Sequence, residues 1–262
     1  MKINEITDLL EQWYPLELAE DWDNSGLQVK PRNLEVTGIV VGLTLTDDII
    51  EMAIKKKFNL IICHHPMFFN DLNTKDLLNI KSKNLSKLLT SKGIGFYAMH
   101  TNLDKNHMVN VLAKILELTD LRVLDNKTSM GTIGNFKKYY TYGDLLIKIS
   151  SIFKLNCMKY SDVDLNKKIK KIALCPGSGR EFLDIAINNS DLYLTGDLNY
   201  HSFEKAVYFN YPLIDICHYN SEIIGIESLS EKLKESFKIP TIFYKGRDFH
   251  KNLMKEKGNS DK

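Results

Sequence analysis

Two distant stretches of this chain run through the same order of elements. "GIVVGLTLTDDIIEMAIKKKFNLIICHHP", from Gly38, and "KIALCPGSGREFLDIAINNSDLYLTGDLNYH", from Lys171, each read strand, turn, helix, strand, polar residues. A second pair follows in the same order. "GFYAMHTNLD" and "YPLIDICHYNSE" are apolar strands ending in His with a carboxylate four residues later, His100 with Asp104 and His218 with Glu222. Chance supplies an occasional His-x-x-x-acid, but two of them, each behind a matched β-α-β unit, point to two similar half-units. The expectation is an α/β fold of two related lobes with mostly parallel sheets and a cleft between them. The first lobe is expected over 1–125, completed by 225–250, and the second over 126–224. The stretch 130–161 alternates weakly and is read as the start of the second lobe. The polar tail, 251–262, loses its apolar period and is expected to fray.

In an open α/β sheet, ligands gather outside the carboxyl ends of the strands. His64, His65, His100, Asp104, His218 and Glu222 all fall there on this reading, and two facing half-units would pool them in one cleft. Neighbouring side chains of an extended chain point to opposite sides, and the residue before Pro66 is held out of the helical region. His64 and His65 are therefore expected to hold one each of two ions, with Glu222 or Asp104 bridging or flanking the pair. The cluster reads as a dinuclear metal centre. Any single histidine is more commonly a satisfied core or surface residue than a ligand. The set is another matter, because two histidines and an acid at buried strand ends are costly to desolvate without a partner. His100 is the candidate for proton transfer, with a packing residue as its alternative. Cys63 and Cys217 are expected in the core, and His107, His201 and His250 are read as structural.

Several function classes recede. With a net charge of +2 and cations interleaved with acids, the chain carries no basic block for a nucleic-acid backbone. The N-terminal "MKINEITDLLEQWY" has a helical apolar period with acids between, unlike a signal peptide. No apolar run approaches the roughly 20 residues that a membrane span needs. The four cysteines form no C-x-x-C pair, which fits a reduced, cytoplasmic setting. In "CPGSGREF" a tight turn is preferred to a phosphate nest, and "DNSG" is either a polar wall of the cleft or a turn.

The ordered motifs "DNSGLQV" (23–29), "ICHHP", "HTNLD", "LTGD" (194–197) and "CHYNSE" resemble those of the NIF-three-like family, the GTP cyclohydrolase I type 2 homologues, over nearly the whole length. The resemblance implies two related α/β lobes, a dinuclear metal site in the cleft and a ring-shaped homohexamer. It carries the ligand roles onto His64, His65, Asp104, His218 and Glu222. Two positions depart from the family: His107 and Met108 stand where a Gly-Gly pair is usual, and Thr44 where an acid is frequent. Mixed imidazole and carboxylate ligands suit two divalent ions, Zn²⁺, Fe²⁺ or Mn²⁺. Two functions follow: a metal-dependent hydrolase of a small nucleotide-like or heterocyclic substrate with His100 as proton shuttle, or a non-catalytic metal carrier or regulatory scaffold.

Overall fold

The computed structural model describes residues 1–68 and 77–249. Its chain order is α1 (Ile3–Trp13), a 3-10 turn, β1 (Gly26–Val29), β2 (Ile39–Gly42), α2 (Asp47–Lys56), β3 (Leu60–Cys63), α3 (Leu77–Lys92) and β4 (Gly95–Ala98). Then come α4 (Thr101–Leu103), running into a π-helix over Asp104–Met108, and α5 (Val109–Ile115). β5 (Thr119–Val123), β6 (Thr132–Thr141), α6 (Tyr142–Phe153), β7 (Lys159–Tyr160), β8 (Lys168–Ser178), α7 (Leu183–Asn189) and β9 (Leu192–Gly196) follow. α8 (Tyr200–Tyr208), β10 (Leu213–Asp215), α9 (His218–Ser236) and β11 (Thr241–Tyr244) complete it. The result is a mixed α/β fold with two sheets, ordered β1-β4-β3-β2-β11 and β5-β6-β8-β9-β10-β7.

β2, β3 and β4 are each four residues buried on both faces, which is why they read as unbroken apolar runs rather than alternating ones. Each fully buried aliphatic side chain contributes about 1.5–3 kcal/mol. They pair in parallel with Gly42, Cys63 and Ala98 level with one another. The segments that leave their carboxyl ends, carrying Thr44, His64 with His65, and His100, therefore share one rim. In the second sheet β8, β9 and β10 are also parallel. Their carboxyl ends bring residues 176–178, Asp197 and the start of α9 to a rim of their own.

The expectation of mostly parallel sheets needs correction at the edges. β1, β6, β5 and β7 all pair antiparallel, so both sheets are mixed: β1 lies antiparallel on β4 in the first, and in the second β5 and β6 form a hairpin laid antiparallel on β8 while β7 caps the other edge. The weakly alternating 130–161 stretch forms β6, α6 and β7. Thr141 and Asp144 form a capping box at the start of α6.

Helix α9 lies between the sheets. Its Ile223, Ile226, Leu229 and Leu233 pack into one core with Ile39, Val41, Leu60, Ile62 and Tyr97, while Ile224 also contacts the core of the second sheet. A glycine on this helix, Gly225, has Met108 where a side chain would be: an added Cβ would lie 2.2 Å from Met108 Sδ. The His107 ring donates from Nε2 to the Gly225 carbonyl (3.0 Å) and its Nδ1 meets Tyr14 Oη (2.8 Å). The π-helix that begins at Asp104 is thereby clamped to α9. Among the described residues no helix is long and apolar enough to cross a membrane.

Candidate metal centre

β3 ends at Cys63 and the chain bends at His64 and His65, whose amides donate to the Gly42 and Leu43 carbonyls (3.2 and 3.0 Å). The two imidazoles leave this bend in different directions, with ring planes tilted by 47°. His64 Nε2 lies 3.4 Å from Asp104 Oδ1 and 3.5 Å from Glu222 Oε1, whereas His65 Nε2 lies 3.3 Å from Glu222 Oε2. The adjacent histidines thus address opposite oxygens of one carboxylate. His218 Nε2 stands 3.0 Å from Glu222 Oε2 and 3.3 Å from His65 Nε2.

The two His-x-x-x-acid pairs differ in setting. His218 opens α9, with Glu222 one turn further along it, whereas His100 follows the end of β4. His100 precedes α4, and the Asp104 amide donates back to the His100 carbonyl (3.0 Å).

Every ring of the cluster is held from its far side. His64 Nδ1 donates to the Met99 carbonyl (2.7 Å), His218 Nδ1 to Asp197 Oδ2 (2.7 Å), and His65 Nδ1 bonds Thr44 Oγ1 (2.8 Å). An outward Nδ1 bond of this kind fixes the ring and aims Nε2 inward, as at metal-binding histidines. His100 Nδ1 is bonded to Asp23 Oδ1 (2.9 Å). Asp23 in turn accepts from Thr101 Oγ1 (2.6 Å) and Ser25 Oγ (2.9 Å).

The centre is strongly polarised. Burial lowers the His64 proton affinity, but Asp104 and Glu222 outweigh it and hold the pKa up at about 9. His218 is likewise raised, to about 10, by Glu222 and Asp197 against burial. His65 is pushed down by burial. Burial also pushes Asp104 up to about 6. Glu222, which burial would raise, is held well below the usual carboxylate range by His64, His65 and His218. Asp23 is held low by His100 and Thr101 against burial.

Positive charge is wanted here. His64 Nε2, Asp104 Oδ1 and Glu222 Oε2 are buried with no hydrogen bond of proper geometry, although the neighbouring donor atoms lie within 3.0–3.5 Å. Buried polar atoms left unsatisfied are costly. The spacing is that of ligands placed about 2.0–2.2 Å from a shared ion. Three groups could hold a metal ion: His64, Asp104 and Glu222; His65, His218 and Glu222; His64, His65 and His100. The donor set fits a divalent cation of the Zn, Fe or Mn kind.

Two glycines let these elements meet. A Cβ on Gly177, whose φ is +64°, would stand 2.4 Å from Glu222 Oε1. One on Gly196 would stand 2.7 Å from the His218 amide. The Gly177 and Gly179 amides donate to Ser221 Oγ (2.8 Å) and Thr195 Oγ1 (3.0 Å), so these two donors are not free for a phosphate; residues 175–178 are the end of β8, with a shift in its pairing to β9 after Leu174, rather than the expected tight turn. Cavities open on both sides of the cluster and share Thr44, Lys81, His65 and His218. One, about 490 Å³, runs toward Tyr219, Tyr244 and Arg247. The other, about 520 Å³, runs toward Trp22, Met67 and Phe182.

All six expected site residues come together. Sequence reasoning missed the partners that orient them: Asp197 appears in "LTGD" and Asp23 in "DNSG", but neither motif names the ring it serves. Thr44, noted as a departure, takes the position beside His65. Cys217 caps α9 half-buried with a φ of +69° and is not a core residue. His201 is on the surface, paired with Glu204 (3.0 Å), and His250 lies outside the described residues.

The model of the Duf34/NIF3 (NGG1p interacting factor 3) family matches residues 1–248. A Clostridium perfringens protein named GTP cyclohydrolase 1 type 2 homolog is 32% identical over 243 residues, covering 90% of this chain and 92% of that protein. A Helicobacter pylori protein named GTP cyclohydrolase 1 type 2 is 33% identical over 226 residues, covering 84% and 86%. The crystal structure of a Staphylococcus aureus hypothetical protein superposes with a TM-score of 0.85 at 26% identity, covering 97% of this chain and 99% of that one.

Proposed function

The chain belongs to the Duf34/NIF3 family, and from that premise we propose that it is a dinuclear metal-dependent hydrolase acting on a small nucleotide-like or heterocyclic substrate. The observation that carries the reading is the division of Glu222, with Oε1 facing His64 and Oε2 facing His65 and His218. His64, Asp104 and Glu222 would hold one ion, and His65, His218 and Glu222 the other. The His65 and His218 side faces both cavities and is the side at which a substrate would arrive. What a divalent pair supplies when bound is Lewis acidity and a water of lowered pKa.

The chain's own residues do the rest. Asp197 and Thr44 keep the His218 and His65 rings turned inward. His100, fixed through Nδ1 by Asp23, lines the Trp22-side cavity and would exchange a proton with the leaving group at Nε2. The same proposal takes two related lobes, 1–125 completed by 225–250 and 126–224, with the metal cleft between them, and assembly as a cytoplasmic homohexamer.

Metal-loaded protein is to be incubated with a panel of nucleotides and small heterocycles. Turnover that disappears in His65→Ala is the expected result. A blank panel with two ions retained per chain would overturn the hydrolase and leave the carrier reading.

A further inference from the structure

The cavity on the Trp22 side differs from its neighbour in what lines it. Leu45, Met67, Leu85 and Phe182 are buried apolar side chains that show one surface to it. Trp22 stands at its edge with 58% of its surface exposed, an expensive position for the largest apolar side chain. The indole meets His100 in a T-shaped contact, centroids 5.7 Å apart and planes at 76°, so the two rings do not stack on each other. At about 520 Å³ the cavity lies within the usual range for a small-molecule site.

Charge recognition is weak there. Among the described lining residues Lys81 is the one Lys or Arg, and Glu181 opposes it. Asp104 and Glu222 are turned into the histidine cluster. The backbone amides of Gly177 and Gly179 are taken by Ser221 and Thr195, which removes the nearest cradle for a phosphate. A wall of apolar side chains, an open indole and a polar floor of His65, His100 and His218 suits a flat molecule with a polar edge.

We propose that this cavity binds an uncharged planar heterocyclic ring, stacked on Trp22 with its polar edge toward His65 and His218. The inference deepens the hydrolase reading by naming the part of the substrate held beside the cluster. Ring binding is measured without turnover, so the two can fail separately.

The chain has two tryptophans, and Trp13 stacks on Phe237, so Trp13→Phe keeps an aromatic ring there and leaves Trp22 as the sole emitter. Guanosine is the probe for the ring and ribose 5-phosphate the probe for the phosphate, both against metal-loaded protein. Guanosine is expected to quench Trp22 emission saturably while ribose 5-phosphate leaves it unchanged. By calorimetry, Trp22→Ala in the otherwise unchanged chain is expected to weaken guanosine about 5- to 150-fold, the loss of one base–aromatic stack. Trp22→Phe, which retains a ring face, is expected to stay within about threefold. Metal content should be the same in both. Failure of guanosine to saturate below about 10 mM, equal quenching of Trp22 by ribose 5-phosphate, or equal losses in the Ala and Phe variants would overturn the proposal. If no metal is retained but guanosine still quenches, the hydrolase reading falls and the ring site stands.

Discussion

His64 and His218 hold their protons far above the ordinary imidazole range, at about 9 and about 10, because Glu222, with Asp104 and Asp197, surrounds them with negative charge. A cation entering the cluster has to expel those protons. Below about 9 each lost pH unit makes the expulsion of each proton about tenfold harder, so zinc affinity should fall steadily with acid and level off only above about 10. Calorimetry at neutral pH in buffers of different ionisation enthalpy should show proton release on zinc binding; heats that do not depend on the buffer would contradict it. Asp197 is the sharper probe. Asp197→Asn keeps an acceptor for His218 Nδ1 but removes the charge, and should weaken zinc about 10- to 100-fold in competition with a chromophoric chelator. The residues of the cluster were legible because each is tied to a local pattern: a strand running into His64 and His65, and acids four residues after His100 and His218. Asp197 was not, since its bond to His218 spans β9 to α9 and depends on a left-handed backbone, φ +56°, that no local pattern announces.

At the level of elements, the core strands were readable from their unbroken apolar runs, and α2 from Thr46, which caps it by accepting from the Ile49 amide (3.4 Å). The helical setting of His218 was not. "YPLIDICH" reads as a strand ending in His218, but β10 stops at Asp215 and the chain turns at Cys217 into α9. Nor does the π-helix after Asp104 have a sequence signature; it exists because His107 and Met108 are both engaged with Gly225. Gly225→Ala should cost about 1–3 kcal/mol of overpacking, seen as a lower urea midpoint, and should disturb Asp104 enough to reduce metal content. A midpoint equal to that of the unaltered chain would show that the clamp is slack. Gly177→Ala combines a left-handed φ, costing about 1–2 kcal/mol, with a clash against Glu222, and should lose metal more than stability. Elemental analysis beside a thermal melt separates the two effects.

For the whole molecule, the expected assembly is a ring of six, and large apolar side chains remain open to water on the single chain, among them Tyr200, Tyr208 and Ile147. Closed homo-oligomers are the common way such surfaces are covered. Light scattering at micromolar concentration should give about six times 30.2 kDa; a value near 30.2 kDa would refute the ring. The two-sheet plan was foreseeable from the repeated β-α-β order, but the mixed second sheet was not, since β5, β6 and β7 are short or half-exposed, and β6 and β7 owe their places to partners further along the chain, β8 and β10. One such long-range partnership also sets a timetable. β2 pairs on one side with β3 but on the other with β11, Ile39 beside Thr241. On a ribosome working at about 5–20 residues per second, the flank of β2 waits about 10–40 s for its last neighbour to be made. During that interval the nascent chain carries an open, apolar strand edge of the kind that recruits other chains, so interruption of synthesis just short of residue 241 would leave a far more aggregation-prone product than interruption just past 244.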